Sequence, residues 1–377
     1  MKKVMIGLSG GVDSAVAAYI LKKQGYHVIG GFMRNWDSLL NNDILGNPNN
    51  TNDICPQEQD YNDAKKVADD LGIELYRVDF VKEYWDHVFT YFLDEYQKGR
   101  TPNPDILCNK YIKFDAFFEF AKSKGATHIA TGHYAKVVHD EKGSRMYKAK
   151  DSNKDQTYFL CQLSEEQLST SLFPLGDINK EEVRRIAKEL NLNVADKKDS
   201  TGVCFIGERD FKEFLKNYIP AQKGNIVDLE SKQVIGEHDG VMYYTIGQRK
   251  GLGIGGLKEF SGKSWFVAKK DVKNNILYVA QGEDNEYLMA DACIVSDVNW
   301  TYKDKPSEFF ECQAKFRYRQ KDNKVQVRFI DETTVEVKCL DKVKSVTAGQ
   351  AAVFYLDDLC LGGGVIDKVY RDSQLIG

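Results

Sequence analysis

The most informative stretch of this sequence is a glycine-rich loop close to its first residue. An apolar run at residues 4–8 leads into the loop SGGVDS at residues 9–14, and a segment of small and aliphatic residues follows. Glycines allow the backbone to curl, so that its N–H groups and the N-terminus of the following helix face a bound anion. The pattern therefore predicts a phosphate-binding loop. The simpler alternative is an ordinary turn between a strand and a helix, where glycine and serine are also common.

The loop lacks a residue that kinases and GTPases use. Their pattern, G-x-x-x-x-G-K-[ST], places a lysine on the β- and γ-phosphates, and no such lysine follows the glycines here. An enzyme that cleaves ATP between the α- and β-phosphates has only to hold the pyrophosphate, with Mg²⁺ sharing the charge. The loop therefore favours an adenylating enzyme over a kinase or a GTPase.

Two cysteines lie in contexts that suit sulfur chemistry. Cys108 follows a loop that Pro102 and Pro104 stiffen, and we expect it at the start of a helix, whose N-terminus would stabilise a thiolate. Cys204 lies in the segment TGVCFIG, whose glycines would allow its side chain to swing. Each cysteine also has a simpler interpretation, because a cysteine before a helix is usually a buried apolar side chain and a tight turn also uses glycine.

Length and composition exclude several protein classes. The chain has 377 residues, of which 42% are hydrophobic and 29% charged, as is typical of a globular protein with two or three domains. The apolar run near the first residue is too short for a signal or membrane segment, and none of the eight cysteines forms a C-x-x-C pair. We therefore expect a cytoplasmic protein with no membrane partner. The net charge of −4 argues against wholesale coating of nucleic acid but allows a local basic surface.

The first part of the chain alternates strand and helix patterns. Apolar runs predict buried strands near residues 4–8, 26–33, 73–80 and 126–135, with helical segments between them. This alternation is typical of an α/β domain with a parallel sheet and helices on both faces, which binds ligands at the carboxyl ends of its strands. The phosphate loop, Met33 and Gly132 all fall at such ends, so the sequence predicts one nucleotide crevice.

The pattern changes after the first half of the chain. Short alternating runs with polar turns replace the strand–helix rhythm and predict an antiparallel barrel or sandwich. We expect a parallel-sheet catalytic domain at residues 1–208, a small central mixed α/β domain at 209–284 and a C-terminal β-barrel at 285–377. The G-x-G-x-x-G match at 251–256 and the Gly-Lys-Ser at 262–264 lack the context of nucleotide sites, so we interpret both as turns.

Nine motifs occur in the order found in one enzyme family. They are GLSGGVDS, GGFMRNW, GRTPNPDILCN, ATGHYA, DQTYFL, LGDINKEEVRRIA, DSTGVCFIG, YTIGQRKGLGIGG and KFRYRQ. The first resembles the loop of the PP-loop ATP pyrophosphatases, and the whole set resembles the bacterial tRNA-specific 2-thiouridylases, the MnmA/TrmU family. The resemblance covers nearly the whole chain and implies an adenine nucleotide alpha hydrolase-like fold for the first domain. The asparagine-rich loop at 41–53 aligns least well.

The resemblance implies ATP-dependent 2-thiolation of the wobble uridine, U34, in tRNAs for Lys, Glu and Gln. The C2 oxygen would attack the α-phosphate of ATP, releasing pyrophosphate and making AMP a good leaving group. Mg²⁺ would enter with ATP, with no metal site made by the protein alone. The implied ATP-binding residues are Gly7, Leu8, Ser9, Gly10, Gly11, Val12, Asp13, Ser14, Met33 and Gly132.

The resemblance also assigns the sulfur chemistry. Cys204 resembles the persulfide carrier of the family and Cys108 its partner nucleophile. Either the persulfide attacks C2 directly, or Cys108 reduces it and hydrosulfide is released. Both routes end with a transient disulfide between Cys108 and Cys204, which needs an external reductant. Asp105, in the same loop as Cys108, is a candidate acid or base, although a solvated loop aspartate is an equally simple interpretation.

Further residues are implied as contacts to the anticodon stem-loop of the tRNA. Asn103, Pro104 and Asp105 would lie at the target base. The remaining contacts would come from Lys154, Asp155, Gln156, Arg317 and Tyr318. The segment AKFRYRQKDNK offers cations and an aromatic side chain on an expected strand, one face of which could bind phosphate while Tyr318 stacks on a base. A cysteine desulfurase or a sulfur-relay protein would donate the sulfur.

Three other functions stay open from the residues alone. A PP-loop ligase acting on a small molecule would keep the first domain but would need no barrel and no cysteine pair. A non-catalytic RNA-binding protein would tolerate loss of Ser9, Asp13 and both cysteines. A cluster-dependent thiolase would hold an iron–sulfur cluster with three cysteines, and Cys55 could then join Cys108 and Cys204.

Overall fold

The structure is a computed structural model, and it describes seven stretches of the chain: 2–43, 56–141, 143–199, 210–220, 222–254, 262–301 and 307–377. Three features from the sequence lie outside them. These are Cys55, Cys204 and the last two residues of the 251–256 motif. The Gly-Lys-Ser residues at 262–264 precede a strand and begin no helix, as expected of a turn.

Five short parallel strands form the sheet that carries the phosphate loop. They are β1 (Lys3–Gly7), β2 (His27–Arg34), β3 (Leu75–Asp79), β4 (His128–Ala130) and β7 (Ser171–Leu172). Their order in the sheet is β3-β2-β1-β4-β7. In the central strand β1, Val4 and Ile6 pack on one face and Met5 on the other, and all three are fully buried. A parallel strand covered on both faces requires such an unbroken apolar run.

Helices cover both faces of this sheet. Across all the described residues, the helices of the chain are α1 (Val12–Lys23), α2 (Pro56–Leu71), α3 (Val81–Tyr84), α4 (Thr90–Gln97), α5 (Pro104–Leu107), α6 (Phe117–Ser123), α7 (Thr157–Leu160), α8 (Glu165–Ser169), α9 (Lys180–Glu189) and α10 (Phe211–Leu215). Two 3₁₀ turns, at Val241–Tyr243 and Glu286–Leu288, lie farther along the chain. A π-helical stretch at Trp85–Phe89 joins α3 to α4, and another at Cys108–Ala116 joins α5 to α6. The chain therefore forms two longer continuous helices at 81–97 and 104–123.

A small four-stranded sheet follows the first domain. Its strands are β8 (Gly224–Asp228), β9 (Val234–His238), β10 (Trp265–Asp271) and β11 (Ile276–Gln281), in the order β10-β11-β8-β9. The β8–β11 pair is parallel and the other two pairs are antiparallel. Val267, Leu277 and Val279 are fully buried and join the large apolar cluster that also contains residues of the first domain. The central sheet therefore packs directly onto the first domain.

Six antiparallel strands close into a barrel at the end of the chain. They are β12 (Met289–Trp300), β13 (Phe309–Lys315), β14 (Asn323–Phe329), β15 (Val335–Lys344), β16 (Ala351–Leu356) and β17 (Leu359–Arg371), followed by the short β18 (Gln374–Leu375). The order is β12-β15-β14-β13-β16-β17, and pairing of β17 with β12 closes the ring. Inward side chains such as Val295, Val337 and Phe354 are fully buried. Closure removes the free edges that an open sheet would expose.

A hairpin of the first domain extends the sheet of the barrel. Strands β5 (Lys136–Asp140) and β6 (Gly143–Tyr147) pair with each other, and Tyr147 of β6 pairs with Leu359 of β17. Next to this pair, the backbone N–H of Lys148 donates to Asp358 O at 2.8 Å, and its ammonium contacts Asp322 at 2.6 Å. The first domain and the barrel therefore share one sheet, which the sequence patterns did not predict.

The fold class predicted from the sequence is confirmed, with local corrections. The strand expected at 126–135 is limited to β4, because the chain turns at residues 131–135 to form the edge of the crevice. Arg317 and Tyr318 lie in the turn between β13 and β14 and not on a strand. Among the helices that the described stretches contain, none is both long enough and apolar enough to span a bilayer.

Candidate functional site

The phosphate loop joins the end of β1 to the start of α1. Gly10 has a φ of 72°, and a Cβ there would lie 2.3 Å from Asp60 O, so only glycine fits. The N-cap of α1 is Gly11, which has no side chain to cover the first N–H groups of the helix. Ser14 Oγ donates to Gly11 O at 3.1 Å and accepts from the N–H of Ser9 at 3.2 Å, which fixes the curl. The first turn of α1 can therefore present its N–H groups to an anion.

Met33 and Gly132, which the sequence assigned to the same crevice, lie against the loop. The Met33 methyl group lies 3.1 Å from the position of a Cβ on Gly7. A Cβ on Gly132 would lie 2.8 Å from Ser14 N and 2.9 Å from Asp13 C. The backbone at Gly132 thus approaches the N-terminus of α1 more closely than any other residue type would permit. The structure brings these predicted residues together at one edge of the sheet.

Asp13 is held by a lysine from a distant helix. Lys180, the first residue of α9, places its ammonium 2.7 and 2.8 Å from the two carboxylate oxygens of Asp13. The Tyr134 hydroxyl donates to Asp13 Oδ1 at 2.8 Å, and burial, followed by the charge of Asp13, raises the pKa of Tyr134. The phenol therefore stays protonated and serves as a donor. The loop lacks its own lysine, but a cation reaches it from α9.

The same lysine belongs to a larger ion cluster. Lys180 contacts Asp199 at 2.7 Å, and Asp199 also pairs with Lys154 at 2.6 Å and Arg184 at 2.7 Å. Partial burial opposes ionisation of Asp199, but the hydrogen bonds from Lys154 and Lys180 outweigh it and lower its pKa to about 2. Three cations thus converge on one carboxylate beside the phosphate loop.

A second lysine lies on the other side of the loop. The ammonium of Lys197 donates to Gly10 O at 2.9 Å and contacts Asp60 at 2.7 Å and Asp63 at 2.6 Å. Its hydrogen bonds to the two carboxylates outweigh burial and raise its pKa. Sequence reasoning missed both Lys180 and Lys197 as site residues. Lys180 lies in the quoted motif LGDINKEEVRRIA, which was the available signal, and Lys197 lies two residues before the quoted motif DSTGVCFIG.

Cys108 is located differently from the sequence expectation. The helix begins four residues earlier, since Asn103 is its N-cap, with the side-chain oxygen accepting from the N–H of Asp105 at 3.2 Å, and Pro104 is its first residue. Cys108 is fully buried in the second turn. The helix N-terminus acts mainly within the first turn, so its effect on the Cys108 thiol is weaker than expected. The Asn-Pro pair is a helix-start signal that could have placed this boundary.

The π-helical stretch that starts at Cys108 is held by side chains. A π-helix displaces carbonyls from regular hydrogen bonding and is frequent at functional sites. Here the amide of Gln167 donates to the carbonyls of Lys110 at 2.9 Å and Phe114 at 3.2 Å. Asn109 Nδ2 donates to Phe159 O at 2.9 Å. These bonds fix the backbone immediately after Cys108.

The same helix connects Cys108 with the nucleotide edge. In its last part, Phe117 Cε1 lies 3.7 Å from a Cβ position on Gly7, and Phe117 Cε2 lies 2.5 Å from one on Gly31. Both glycines lie in strands that end at the crevice. Cys108 and the phosphate loop therefore share one rigid support. Cys204 lies outside the described residues, so the predicted cysteine pair is not described.

The predicted tRNA contacts at 154–156 are engaged within the protein. Asp155 is buried and accepts from Ala149 N at 3.0 Å and from Thr157 Oγ1 at 2.8 Å; its burial raises its pKa. Gln156 Oε1 accepts from Tyr134 N at 2.9 Å. These contacts shape the strand-end loop, while Lys154 reaches the Asp199 cluster. Lys154 and Gln156 are thus linked to the surroundings of Asp13 through Asp199 and Tyr134, whereas Asp155 lies 4.0 Å from Lys315 of the barrel.

Arg317 and Tyr318 lie on the barrel, and burial together with the nearby charge of Asp155 raises the pKa of Tyr318. The Arg317 guanidinium donates to Ser345 O at 3.2 Å, Ile246 O at 2.6 Å and Thr347 Oγ1 at 3.0 Å, and burial lowers its pKa. Tyr318 packs its ring 4.5 Å from that of Phe159, measured between centroids. Arg317 therefore connects the barrel to the central domain, and Tyr318 reaches the first domain beside the Cys108 helix.

Comparisons with known proteins identify the family. Three family models match in succession: the tRNA methyl transferase HUP domain at residues 2–208, the tRNA methyl transferase PRC-barrel domain at 212–281 and the aminomethyltransferase β-barrel domain at 290–366. The tRNA-specific 2-thiouridylase MnmA of Mycoplasma capricolum is 60% identical over 98% of this chain and 100% of its own length. The chain belongs to the MnmA family.

Other relatives agree with this assignment. MnmA of Mesoplasma florum is 58% identical over 98% of this chain and 99% of its own length, and MnmA of Bacillus anthracis is 54% identical over 99% and 96%. The family and the enzyme class that the sequence motifs predicted, a tRNA sulfurtransferase, are therefore confirmed. Within the described stretches, no three His, Cys, Asp or Glu side chains come together as a metal site. Cys55 and Cys204 are not among them, so the iron–sulfur alternative stays open.

Proposed function

We propose that this chain uses ATP to convert the wobble uridine of tRNAs for Lys, Glu and Gln to 2-thiouridine, giving AMP and pyrophosphate. The observation that carries the proposal is that the helix containing Cys108 packs against the strands next to the phosphate loop. The helix that contains Cys108 reaches Gly7 and Gly31 at the nucleotide edge through Phe117. Nucleotide activation and sulfur transfer act on the same uridine and need such proximity.

The first step is adenylation of the base. The open N–H groups of α1 and the hydroxyl of Ser9 offer donors for the pyrophosphate part of ATP, and the ammonium of Lys180 adds positive charge beside them. The uridine O2 forms a bond to the α-phosphorus, and the bond to the β-phosphate oxygen breaks. Met33 and Gly132 would border the adenosine. Mg²⁺ would enter with ATP and offset phosphate charge, and the carboxylate of Asp13 is an oxygen ligand suited to it.

The second step transfers sulfur. Cys204 would carry the persulfide and Cys108 would act as the partner nucleophile. The terminal sulfur bonds to C2 either directly or after Cys108 has released it as hydrosulfide, and AMP departs with O2. In both routes the two cysteines end as a disulfide that an external thiol reduces. Cys108 is fully buried, so it would meet its partners only inside the closed site. Asp105, in the first turn of the same helix, would serve as acid or base.

Substrate tRNA would contact all three parts of the chain. Residues 103–105 would lie at the target base, and Lys154, Asp155 and Gln156 would lie along the crevice. Arg317 and Tyr318 would contact the anticodon stem from the barrel. A wobble base must leave its stack to reach the buried site, which suits a protein that surrounds the stem-loop. We assign the catalytic domain to 1–208, a central domain that also contacts tRNA to 209–284 and the barrel to 285–377.

The sulfur would come from a partner protein. A persulfide on Cys204 can be formed by a cysteine desulfurase directly or by a relay protein, and both routes use the same exchange chemistry. We place the reaction in the cytoplasm, where unmodified tRNA and ATP are available.

A thiolation assay tests the proposal. Purified protein is incubated with unmodified tRNA-Lys, Mg-ATP, a cysteine desulfurase and cysteine, and the RNA is run on a mercury-containing gel that retards thiolated RNA. We expect a retarded band with the wild type, loss of the band in Cys108→Ser and Cys204→Ser, and an unchanged band in the control Cys339→Ser, whose thiol lies on the barrel. A band that survives Cys204→Ser would refute the persulfide assignment. Absence of a band with the wild type would refute thiolation of this tRNA.

A further inference from the structure

The segment that leads into the Cys108 helix is fastened to the barrel. Thr101 N donates to Ala348 O at 3.0 Å, and Gln350 Nε2 donates to Thr101 O at 2.7 Å. Ala348 and Gln350 belong to the turn at residues 345–350 between β15 and β16, which we call the barrel turn. The backbone N–H and the backbone carbonyl of Thr101 are thus both hydrogen-bonded to the barrel turn.

The contact is close as well as hydrogen-bonded. Gly349 has a φ of 89°, and a Cβ there would lie 2.8 Å from Thr101 N and 3.0 Å from Thr101 O. The backbone of the barrel turn therefore lies directly on the backbone of Thr101. Two residues beyond Thr101, Asn103 caps the helix that carries Cys108. A displacement of Thr101 would therefore move the start of that helix.

An ion pair fastens the preceding residue. Arg100 Nη1 contacts Asp367 of β17 at 2.7 Å, and Arg100 Nη2 donates to Ile366 O at 3.1 Å. On the other side, Arg100 Nε pairs with Glu95 of the first domain at 2.7 Å. Arg100 thus bridges the first domain and the barrel. The backbone N–H of Gly349 also donates to Ile366 O, at 2.8 Å, so both fastenings meet on one strand of the barrel.

The barrel turn is also the site of the Arg317 hydrogen bonds. Arg317 donates to Ser345 O and Thr347 Oγ1 at one end of the turn, while Gln350 holds Thr101 at the other end. The turn therefore lies between a residue proposed to contact RNA and the segment that precedes Cys108. No part of the proposed chemistry takes place on the turn itself.

We propose that the barrel turn positions the catalytic segment at 101–108, with Gln350 and Asp367 as positioning residues. This inference rests on the proposed function, and it assigns the barrel a second role besides contact with tRNA. The barrel fixes where residues 103–105 and Cys108 stand relative to the nucleotide edge. Loss of the Gln350–Thr101 hydrogen bond and of the Arg100–Asp367 ion pair would leave ATP and tRNA binding in place but would misalign the acceptor base and the Cys108 thiol. Reaction rates depend steeply on such alignment.

The test compares Gln350→Ala, Asp367→Asn and the double variant with the wild type. The matched controls are Gln326→Ala, which removes a barrel glutamine bonded to Glu311, and Asp372→Asn, which removes a barrel carboxylate paired with Lys342. For the double variant we expect kcat for thiolation to fall about 10-fold or more, while KM for tRNA changes less than about twofold. Amide hydrogen exchange at residues 103–110 should be about 10-fold faster than in the wild type. The controls should match the wild type.

Two results would overturn the proposal. One is unchanged exchange at 103–110 in the double variant, and the other is a rise in KM for tRNA with kcat unchanged, which would mean that the barrel only binds. The single variants alter half-exposed polar groups, and the melting temperature verifies that each is folded. Failure of the proposed function is distinguishable, because hydrogen exchange at 103–110 tests the fastening even in a wild type that does not thiolate tRNA.

Discussion

Replacement of Gly132 by alanine would displace the phosphate loop without removing any of its chemical groups. The added Cβ would lie 2.8 Å from Ser14 N, 2.9 Å from Asp13 C and 3.1 Å from Ser14 Cα. All three are backbone atoms at the start of α1, so no flexible side chain can move aside. Gly132 does not require a positive φ, so the effect would come from the clash alone.

The size of the effect follows from the distances. Non-bonded carbon and nitrogen atoms rest near 3.5 Å, so the loop and the strand end must separate by several tenths of an ångström. Overpacking of this kind costs about 1–3 kcal/mol. A shift of comparable size in groups that bind a reacting phosphate lowers rates by roughly 10- to 100-fold. We therefore expect Gly132→Ala to melt a few degrees lower and to release pyrophosphate from ATP at least about 10-fold more slowly.

Pyrophosphate release with tRNA present is the assay, and Gly236→Ala is the control. Gly236 lies in β9, and its nearest neighbour to an added Cβ is Ile226 Cδ1 at 3.7 Å, an ordinary contact. The control should keep wild-type activity. If Gly132→Ala released pyrophosphate at the wild-type rate, the close approach at α1 would not constrain the loop and the reasoning would be refuted.

Three further predictions follow from single side chains. Lys180→Met should raise KM for ATP about 10-fold, since one charge-assisted contact is worth about 1.5 kcal/mol. The control Lys136→Met, which breaks the exposed pair with Asp177, should leave KM unchanged, and equal KM values for the two variants would contradict a role of Lys180 at the phosphate loop. Arg317→Ala should lower the melting temperature, measured by calorimetry, by several degrees because three acceptors lose their donor, whereas replacement of the exposed Arg319 by alanine should not. Equal melting temperatures for the two variants would refute the role of Arg317 in joining the barrel to the central domain. Burial lowers the pKa of Lys270 to about 7, so between about pH 7 and pH 10 the unfolded chain holds this proton while the folded chain does not, and the free energy of unfolding rises with pH. Lys270→Met should therefore increase the free energy of unfolding more at pH 7 than at pH 10, and a larger increase at pH 10 would contradict this.

Local patterns predicted the parts of the fold that depend on neighbours in sequence. The apolar run of β1, the glycines of the loop and the small residues of α1 are adjacent, so the sequence was sufficient to place them. The short alternating runs predicted an antiparallel barrel or sandwich, and the closed barrel is one of these two. The placement of Cys108 was less accurate because the expected boundary ignored Asn103 and Pro104 as a helix start.

Contacts between distant parts of the chain could not be predicted in this way. The pairing of Lys180 with Asp13 joins α9 to the loop, and that of Arg100 with Asp367 joins the first domain to the barrel. Such pairs depend on how the sheets and helices pack, which charge patterns along the chain do not specify. The turn around Arg317 resembles a strand in sequence because its alternation of cations and aromatics fits both structures.

The sheet shared by the first domain and the barrel bears on truncated forms of this protein. A gene product that stopped before β16 would leave β6 without its neighbour β17. It would also expose the apolar surface around Tyr158, whose hydroxyl would lose its hydrogen bond to Ala351 O at 3.1 Å. Uncovered strand edges and apolar surfaces promote aggregation. Nonsense mutations late in the gene should therefore yield insoluble protein, and not an active fragment that binds tRNA with lower affinity.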